Sequence, residues 1–263
     1  MRSLSLFFNN LGGRILGLFY FLGGLSYLTL QTFFFLFKVP FKKRSILEQA
    51  EKAGYRSMPI VSLVALFIGV ILALQTAVQM QRLGSEMYIA SIVALSMVRE
   101  LGPVITALIV AGRSGAAITA EIGSMVVTEQ VDALRTLAVN PIHYLVVPRF
   151  LGLLMMLPIL TIYANIIGMI GGYLICVYKL HISSTMYINL TFEALKFKDI
   201  FTGLFKSVFF AMIIVLVSCF YAFKVEGGAE GVGTATRNSV VASFILILAL
   251  DCLFTAIFYF IFP

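Results

Sequence analysis

The sequence is divided into long apolar runs separated by short polar segments. A helix needs about 20 apolar residues to cross the ~30 Å hydrocarbon core of a bilayer. Six runs reach about that length, namely 15–37, 59–80, 87–111, 150–178, 200–223 and 240–262. Only 12% of the residues are charged, against roughly 25% in an average soluble domain. The sequence therefore predicts an all-α integral membrane protein.

The orientation of these runs follows from their basic flanks. Residues 38–56 form the most basic segment between runs, and the positive-inside rule places such a segment in the cytoplasm. Residues 80–86 and 179–199 then face outward, while 113–149 and 224–237 face inward. The inward segments carry more Lys and Arg than the outward ones, as this orientation requires.

The first run differs from the others because basic residues flank both of its ends. Arg14 precedes it, the basic tract follows it, and Gly23-Gly24 interrupts its middle. A bent, partly embedded elbow helix that does not cross the bilayer is favoured, leaving five transmembrane helices, with six simple spans as the alternative. We expect one domain over 1–263, subdivided into 1–57 (elbow and basic tract), 58–112 (first two spans), 113–149 (cytoplasmic coupling region) and 150–263 (last three spans).

Several function classes are excluded by missing patterns. The net charge of +7 lies beside apolar runs rather than in a soluble basic stripe, which favours anionic lipid over nucleic acid. No C-x-x-C pair, H-E-x-x-H or G-x-x-x-x-G-K-[ST] motif occurs, and His143 and His181 are predicted on opposite sides of the membrane. We expect no metal, no cofactor and no catalytic set in this chain, so any nucleotide must bind to a partner.

The inward segment 113–149 is too polar to cross lipid by itself. Thr128 is the predicted N-cap of a short amphipathic helix, and Asn140-Pro141 is its predicted end. Its apolar positions, at i, i+3 and i+7, are Val131, Leu134 and Ala138. Such a helix could dock into a groove of a soluble partner or lie on the headgroups, and the pattern favours neither.

Four charges fall within the apolar runs: Arg99, Glu100, Lys206 and Asp251. Each would cost about 2.5–3.5 kcal/mol at the bilayer centre, so each should face a partner or a cavity. Arg99 and Glu100 are neighbours that point about 100° apart on a helix, so they cannot simply pair with each other. Lys206 and Asp251 are the candidate partners. Convergence would give either a polar internal pocket or a purely structural salt bridge.

Small residues recur where helices might touch, as in Gly168-x-x-x-Gly172. Such spacing lets helix backbones approach closely in lipid. Packing within one chain and dimerisation are both compatible with it.

A long polar block carries a family resemblance. Residues 99–141, RELGPVITALIVAGRSGAAITAEIGSMVVTEQVDALRTLAVNP, are followed by VVPR ending at Arg149 and LKFKD ending at Asp199. The patterns FKSVFFA and LALDCLFTA then surround Lys206 and Asp251. This order of charges, glycines and prolines resembles the MlaE (YrbE) family of ABC-transporter permeases, which in plants includes the plastid lipid-import permease.

The resemblance implies a homodimeric permease with an elbow helix, five spans and a cytoplasmic coupling helix. It implies an ABC ATPase subunit that holds ATP and Mg, an MCE-domain substrate-binding protein and often a STAS-domain protein. The implied cargo is phospholipid or a related hydrophobic molecule, moved between the inner membrane and the outer envelope. A bacterial inner membrane is the expected location, with the plastid inner envelope as the alternative.

The resemblance also implies site residues. The lipid pocket would lie at the dimer interface beside runs 59–80 and 87–111. Its residues would be Arg99, Glu100, Leu101, Leu72, Val78 and Met80. The ATPase-coupling residues would be Glu121, Gly123, Glu129, Gln130 and Asp132. Gln79, Gln81 and Arg82 depart from a purely aliphatic pocket wall.

A different class of function remains open from the residues alone. A proton- or ion-coupled secondary transporter would use Glu100, Lys206 and Asp251 as its relay. Such folds usually contain repeated halves, and no convincing internal repeat is visible in this sequence.

Overall fold

The fold was analysed in a computed structural model that describes residues 2–36 and 43–261. Some predicted positions lie outside the described residues. They are residue 37 of the first predicted run, residues 38–42 of the basic tract and residue 262 of the last predicted run. The α-helices are α1 (Arg2–Leu36), α2 (Lys43–Ala53), α3 (Met58–Arg82), α4 (Ile89–Ser96), α5 (Gly102–Val110), α6 (Ala116–Val127), α7 (Gln130–Thr136), α8 (Val147–Tyr178), α9 (Ser184–Ala194), α10 (Phe197–Ala222) and α11 (Gly228–Ile261). Three π-helical turns, at Met97–Leu101, Ala111–Gly115 and Ile142–Val146, join α4 to α5, α5 to α6, and lead into α8.

Six helical stretches of the described residues are long and apolar enough to cross a membrane. They are Phe19–Leu36, Lys43–Arg82, Glu86–Val127, Ile142–Tyr178, Phe197–Ala222 and Gly228–Phe260. No β-strand occurs in the part of the chain that is described. The prediction of an all-α integral membrane protein is confirmed, while the choice between five and six crossings stays a prediction.

The interruption expected in the first run is absent. The helix α1 passes through Gly23-Gly24 without a break, because a glycine inside a helix costs only about 1 kcal/mol. A side chain at Gly24 would collide with the Phe220 ring of α10. Phe21 packs on the same ring, with the ring centroids 5.2 Å apart. Gly24 thus allows α1 to lie close to α10.

The helices α3 and α8 form a long seam through the bundle. A Cβ atom at Gly69 would overlap the backbone carbonyl of Gly168, so the two backbones touch. Gly172 faces Val93 and the hydroxyl of Tyr187. The Gly168-x-x-x-Gly172 pattern therefore serves packing within the chain, as small residues do between membrane helices.

The third span is longer than the sequence predicted. Its helical stretch continues to Val127 rather than ending at residue 111. Ile118 and Ile122 are buried in the main apolar cluster, and the polar hydroxyl of Thr119 donates to the Ser218 carbonyl at 3.2 Å. The Ser114 hydroxyl likewise donates to the Ala53 carbonyl at 3.1 Å, so polar side chains beyond residue 111 find partners inside the protein and do not end the helix.

The predicted cap of the coupling helix is wrong. Thr128 lies at the C-terminal end of α6, where its hydroxyl donates to the Ser124 carbonyl at 2.8 Å. Glu129 follows with a left-handed φ of 58° and turns the chain into α7. A threonine hydroxyl can satisfy a preceding carbonyl as well as cap a following helix, and here it does the former.

The predicted end of that helix is also wrong. The helix α7 ends at Thr136, and Ala138 has a left-handed φ of 59°, so it is not a helical position. Asn140 accepts a hydrogen bond from the Ile142 N–H at 2.9 Å. Asn140-Pro141 therefore begins the next helical stretch, where proline is tolerated, and the fourth span starts before residue 150.

Three helical segments were missed. The tract after residue 42 forms α2, and the outward segment contains α9, whose Tyr187 is buried against α4 and α8. The last helix begins at Gly228 instead of residue 240. These additional segments cover both ends of the bundle.

Candidate functional site

The sequence places a proline where the third span carries its charges. Pro103 has no N–H to donate to the carbonyl four residues earlier, and its ring crowds that carbonyl. The helix widens into the π-helical turn Met97–Leu101 immediately before Gly102-Pro103. Arg99, Glu100 and Leu101 all lie on this turn. Such turns insert one extra residue and are frequent at functional sites.

Three of the four charges that lie within the apolar runs converge. Lys206 of α10 is 1% exposed, and its Nζ lies 2.5 Å from Glu100 Oε2 and 2.9 Å from Asp251 Oδ1. Thr255 accepts a hydrogen bond from the same Nζ at 2.7 Å and donates to Glu100 Oε1 at 3.1 Å. We call Glu100, Lys206 and Asp251 the charged triad. It joins the π-helical turn to α10 and α11.

Within the charged triad the lysine side chain is buried, while the two carboxylate side chains are partly exposed. The side chain of Glu100 is 38% exposed and that of Asp251 is 19% exposed. One cation beneath two carboxylates leaves a formal charge of about −1. The triad is therefore both an interhelical salt bridge and a source of negative potential at the surface next to Glu100.

Arg99 does not join the charged triad. Its Nε lies 3.5 Å from Asp199 Oδ1, and its side chain is 45% exposed. Asp199 also accepts a hydrogen bond from the Lys196 N–H at 3.1 Å, which caps α10. A guanidinium group has five N–H donors, so Arg99 can keep its contact with Asp199 and still bind an oxyanion.

Three of the predicted apolar pocket residues share one cluster. Leu72, Met80 and Leu101 pack around a core of α3, α4, α8 and α9 that includes Met97. Val78 is 58% exposed and lies on another side of α3. The structure thus brings Leu72, Met80 and Leu101 together and leaves Val78 apart from them within the single chain.

The predicted coupling residues fall into two groups. Glu129, Gln130 and Asp132 are exposed at the turn into α7 and on its first turn. Glu121 Oε2 instead binds Arg149 at 2.9 Å. Gly123 is buried, with Val225 2.9 Å from a Cβ placed there. Gly123 therefore offers close packing rather than a surface for a partner.

Sequence reasoning missed two residues that complete the site. Thr255 lies four residues after Asp251 on α11, a spacing that places both side chains on one helix face. Asp199 lies three residues after Lys196, the position from which an acid reaches back to cap a helix. Both spacings are visible in the sequence, but neither indicates which distant side chain is contacted.

Comparisons with known proteins give one matching family model and several similar permeases. Residues 46–257 match the family model described as Permease MlaE. A probable ABC transporter permease protein of Rickettsia prowazekii is 45% identical over 224 residues, covering 85% of this chain and 86% of the relative.

Two further relatives have more specific names. The intermembrane phospholipid transport system permease protein MlaE of Haemophilus influenzae is 37% identical over 215 residues, covering 81% of this chain and 82% of the relative. The chloroplastic protein TRIGALACTOSYLDIACYLGLYCEROL 1 of Arabidopsis thaliana is 37% identical over 216 residues, covering 82% of this chain and 62% of the relative.

Removing the cation of the charged triad should destabilise the fold. Lys206→Met leaves Glu100 and Asp251 facing each other without compensation, and breaking a buried pair in this way costs about 3–5 kcal/mol. We expect a clearly lower unfolding temperature for the detergent-purified chain. The matched control is Lys198→Met, which removes an exposed lysine from the same helix.

A second variant separates charge from shape. Adding Glu100→Gln and Asp251→Asn to Lys206→Met removes the repulsion and should restore part of the lost stability. If Lys206→Met unfolds at the same temperature as Lys198→Met, the charged triad does not hold the helices together.

Proposed function

Because the chain belongs to the MlaE permease family and is a membrane permease subunit, we propose that it moves phospholipid or a related hydrophobic molecule between the inner membrane and the outer envelope. The observation that carries this proposal is the 37% identity to a permease named for intermembrane phospholipid transport. The transport would be driven by a separate ABC ATPase subunit that holds ATP and Mg. The bacterial inner membrane is the proposed location, with the plastid inner envelope as the alternative.

The geometry of the π-helical turn suits a phospholipid headgroup. Arg99 presents a half-exposed guanidinium group, which binds phosphate oxygens well because its N–H donors are planar and forked. The adjacent apolar cluster, with Leu72, Met80 and Leu101 at its edge, offers a surface for acyl chains. A polar anchor beside an apolar wall is the arrangement that a lipid requires.

A second copy of the chain would complete this site. Phe67, Ile71, Leu74 and Val78 form an exposed apolar face along α3. In a homodimer this face would be covered by its counterpart, so that Val78 joins the wall of the shared pocket from the partner side. This arrangement explains why Val78 lies apart from the other predicted pocket residues in one chain.

The charged triad would hold the cargo site in a fixed position relative to α10 and α11. Lys206 links α10 and α11 to the same π-helical turn that presents Arg99. Any rotation of these helices must preserve or replace its contacts, because an uncompensated charge in lipid is costly. The triad therefore favours a few defined arrangements of the helices.

The coupling to ATP hydrolysis would run through α7. Its Val131 is buried and its Leu134 is partly buried against the main cluster, while Glu129, Gln130 and Asp132 face outward. The helix α6 connects α7 to the π-helical turn at Arg99 through one long helical stretch. From Glu100 to Val127 this stretch is about 40 Å long at 1.5 Å per residue. A movement of α7 would thus reach the cargo site through a stiff element.

The remaining partners follow from the same proposal. An MCE-domain protein would receive or deliver lipid at the outward face, and a STAS-domain protein would bind the ATPase. A proton- or ion-coupled secondary transporter is the competing function, since Lys206 and its two carboxylates could serve as a relay. Transport that continues without any ATPase but stops when the proton gradient is removed would favour this competitor.

Purification from the native host tests the proposal directly. We expect the chain to co-elute with an ATPase and to retain phospholipid in native mass spectrometry. A permease that lacks a nucleotide-binding motif needs an ATPase partner to use ATP. A lipid-binding site should retain part of its lipid in mild detergent. A monodisperse chain with neither partner nor lipid would contradict the proposal.

Removing the guanidinium group of Arg99 should weaken phospholipid retention. Arg99→Gln loses charge-assisted hydrogen bonds to phosphate, each worth about 1.5–3 kcal/mol, so we expect about a tenfold or greater loss of bound phospholipid. Arg99→Lys should recover part of it, and Lys198→Gln serves as the exposed control. Equal retention by Arg99→Gln and Lys198→Gln would place the headgroup elsewhere.

Reversing the charge of Glu129 should weaken association with the ATPase. Glu129→Lys keeps a long side chain at the same left-handed φ, so the backbone strain is comparable in both proteins. We expect a lower yield of the complex and less stimulation of ATP hydrolysis. Glu193→Lys, an exposed reversal on α9, is the control. An unchanged yield of the complex would show that Glu129 lies outside the interface with the ATPase.

A further inference from the structure

A second polar site lies away from the charged triad, where α2, α6 and α8 meet. An open cavity of about 280 Å³ is lined there by side chains from these helices and from the turn Ala111–Gly115. Its charged lining residues are Lys52, Arg56, Arg113, Glu121 and Arg149. The segments that form it belong to the face that the positive-inside rule places in the cytoplasm. We call it the basic cavity.

The charges of the basic cavity do not balance. Four of its lining residues are cationic and Glu121 is the one carboxylate among them. Glu121 binds Arg149 at 2.9 Å and Lys52 at 3.5 Å, so it is already shared between two cations. Arg56 has only a distant, exposed contact with Glu51, at 3.6 Å. The lining residues therefore keep a formal excess of three positive charges, or two when the neighbouring Glu51 is counted, and this excess favours an anion.

One buried donor in the lining has no partner. The side chain of Arg149 is 9% exposed, and two of its nitrogens bind Glu121 and the Leu145 carbonyl at 2.9 Å each. Its Nε has no hydrogen-bond partner among the described residues. An unsatisfied buried donor of a charged group costs free energy, so the contacts of Arg149 with Glu121 and with the Leu145 carbonyl offset a cost that the fold carries at this point.

The backbone around Arg113 resembles the one that presents Arg99. Arg113 lies on the π-helical turn Ala111–Gly115, in the same helical stretch as the turn at Met97–Leu101. It donates to the Ser57 hydroxyl at 2.8 Å, which fixes the guanidinium group beside the cavity. Such turns are frequent at functional sites because they redirect side chains out of the regular helix.

The size and surroundings of the cavity define the class of ligand. A volume of about 280 Å³ is at the lower end for ligand sites, so it suits a compact headgroup rather than a whole lipid. Forked guanidinium groups match the oxygens of phosphate, and basic cavities between membrane helices on the cytoplasmic side bind phosphate-bearing headgroups.

We propose that the basic cavity is a phosphate-binding site, filled by the phosphate of an anionic lipid headgroup or by a free phosphate. Lys52, Arg56 and Arg113 supply the accessible positive charge, and Arg149 adds a largely buried positive charge behind them. Glu121 holds Arg149 and Lys52 in place. The site is independent of the proposed cargo pocket at Arg99, which lies on a different turn.

The experiment uses the full chain purified in mild detergent. Dioleoylphosphatidylglycerol, dioleoylphosphatidylcholine and inorganic phosphate are added separately, and binding is followed by native mass spectrometry and by the melting temperature, which rises when a ligand binds the native state. The double variant Arg56→Gln/Arg113→Gln should bind the preferred probe about tenfold more weakly or worse. Arg56→Gln alone should show a smaller loss, and it breaks no buried contact.

The matched control is Arg44→Gln/Arg135→Gln, which removes the same charge from exposed arginines outside the cavity. Preference for phosphatidylglycerol that the first double variant loses and the control keeps supports a lipid headgroup as the ligand. The same pattern with inorganic phosphate alone supports a free phosphate. Equal losses in both double variants, or no binding of either anionic probe, would overturn the proposal. Cargo held at Arg99 would be retained equally by both double variants.

Discussion

A lysine buried among membrane helices dictates much of this architecture. The Nζ of Lys206 cannot remain charged in hydrocarbon without compensation, and it lies within 2.5 Å of Glu100 and 2.9 Å of Asp251. These carboxylates come from two different helical stretches, so the pairing brings three parts of the chain together. Glycine allows the approach, since a Cβ atom at Gly203 of α10 would overlap the Val98 carbonyl beside the π-helical turn. Charge neutralisation and close packing thus act at the same place.

The stretch Glu86–Val127 connects the two polar sites of the molecule. It contains the π-helical turns Met97–Leu101 and Ala111–Gly115. Arg99 lies on the first of these turns and Arg113 on the second, so each arginine lies where the regular α-helical spacing is interrupted. Pro103 explains the first turn by its missing N–H; no comparable residue explains the second. Because both turns belong to one helical stretch, a single element presents Arg99 to one site and Arg113 to the other.

The sequence predicts the contact of Lys206 with Glu100 and Asp251 well and the helix ends poorly. Charged residues inside apolar runs are rare and must find partners, which is why the sequence identifies Lys206 and Asp251 as candidate partners; the expectation holds for Glu100 and not for Arg99. The end of the third span was misplaced because polar residues beyond position 111 suggested exposure to water. In the fold Arg113 binds Ser57 and Glu121 binds Arg149, and both partners are distant in sequence. Thr128 was ambiguous for a local reason, since its hydroxyl can serve either neighbouring helix.

The two polar sites differ in the sign of the charge that they leave unmatched. The charged triad has two carboxylates for one cation, while the basic cavity has one carboxylate for four cations. A site in a low-dielectric region favours ligands that cancel its excess charge. The basic cavity is therefore suited to an anion. At the π-helical turn an anion would be held only by Arg99, whose contact with Asp199 already offsets part of its charge. If the turn is the proposed cargo site, weaker retention there would suit a molecule that has to be released.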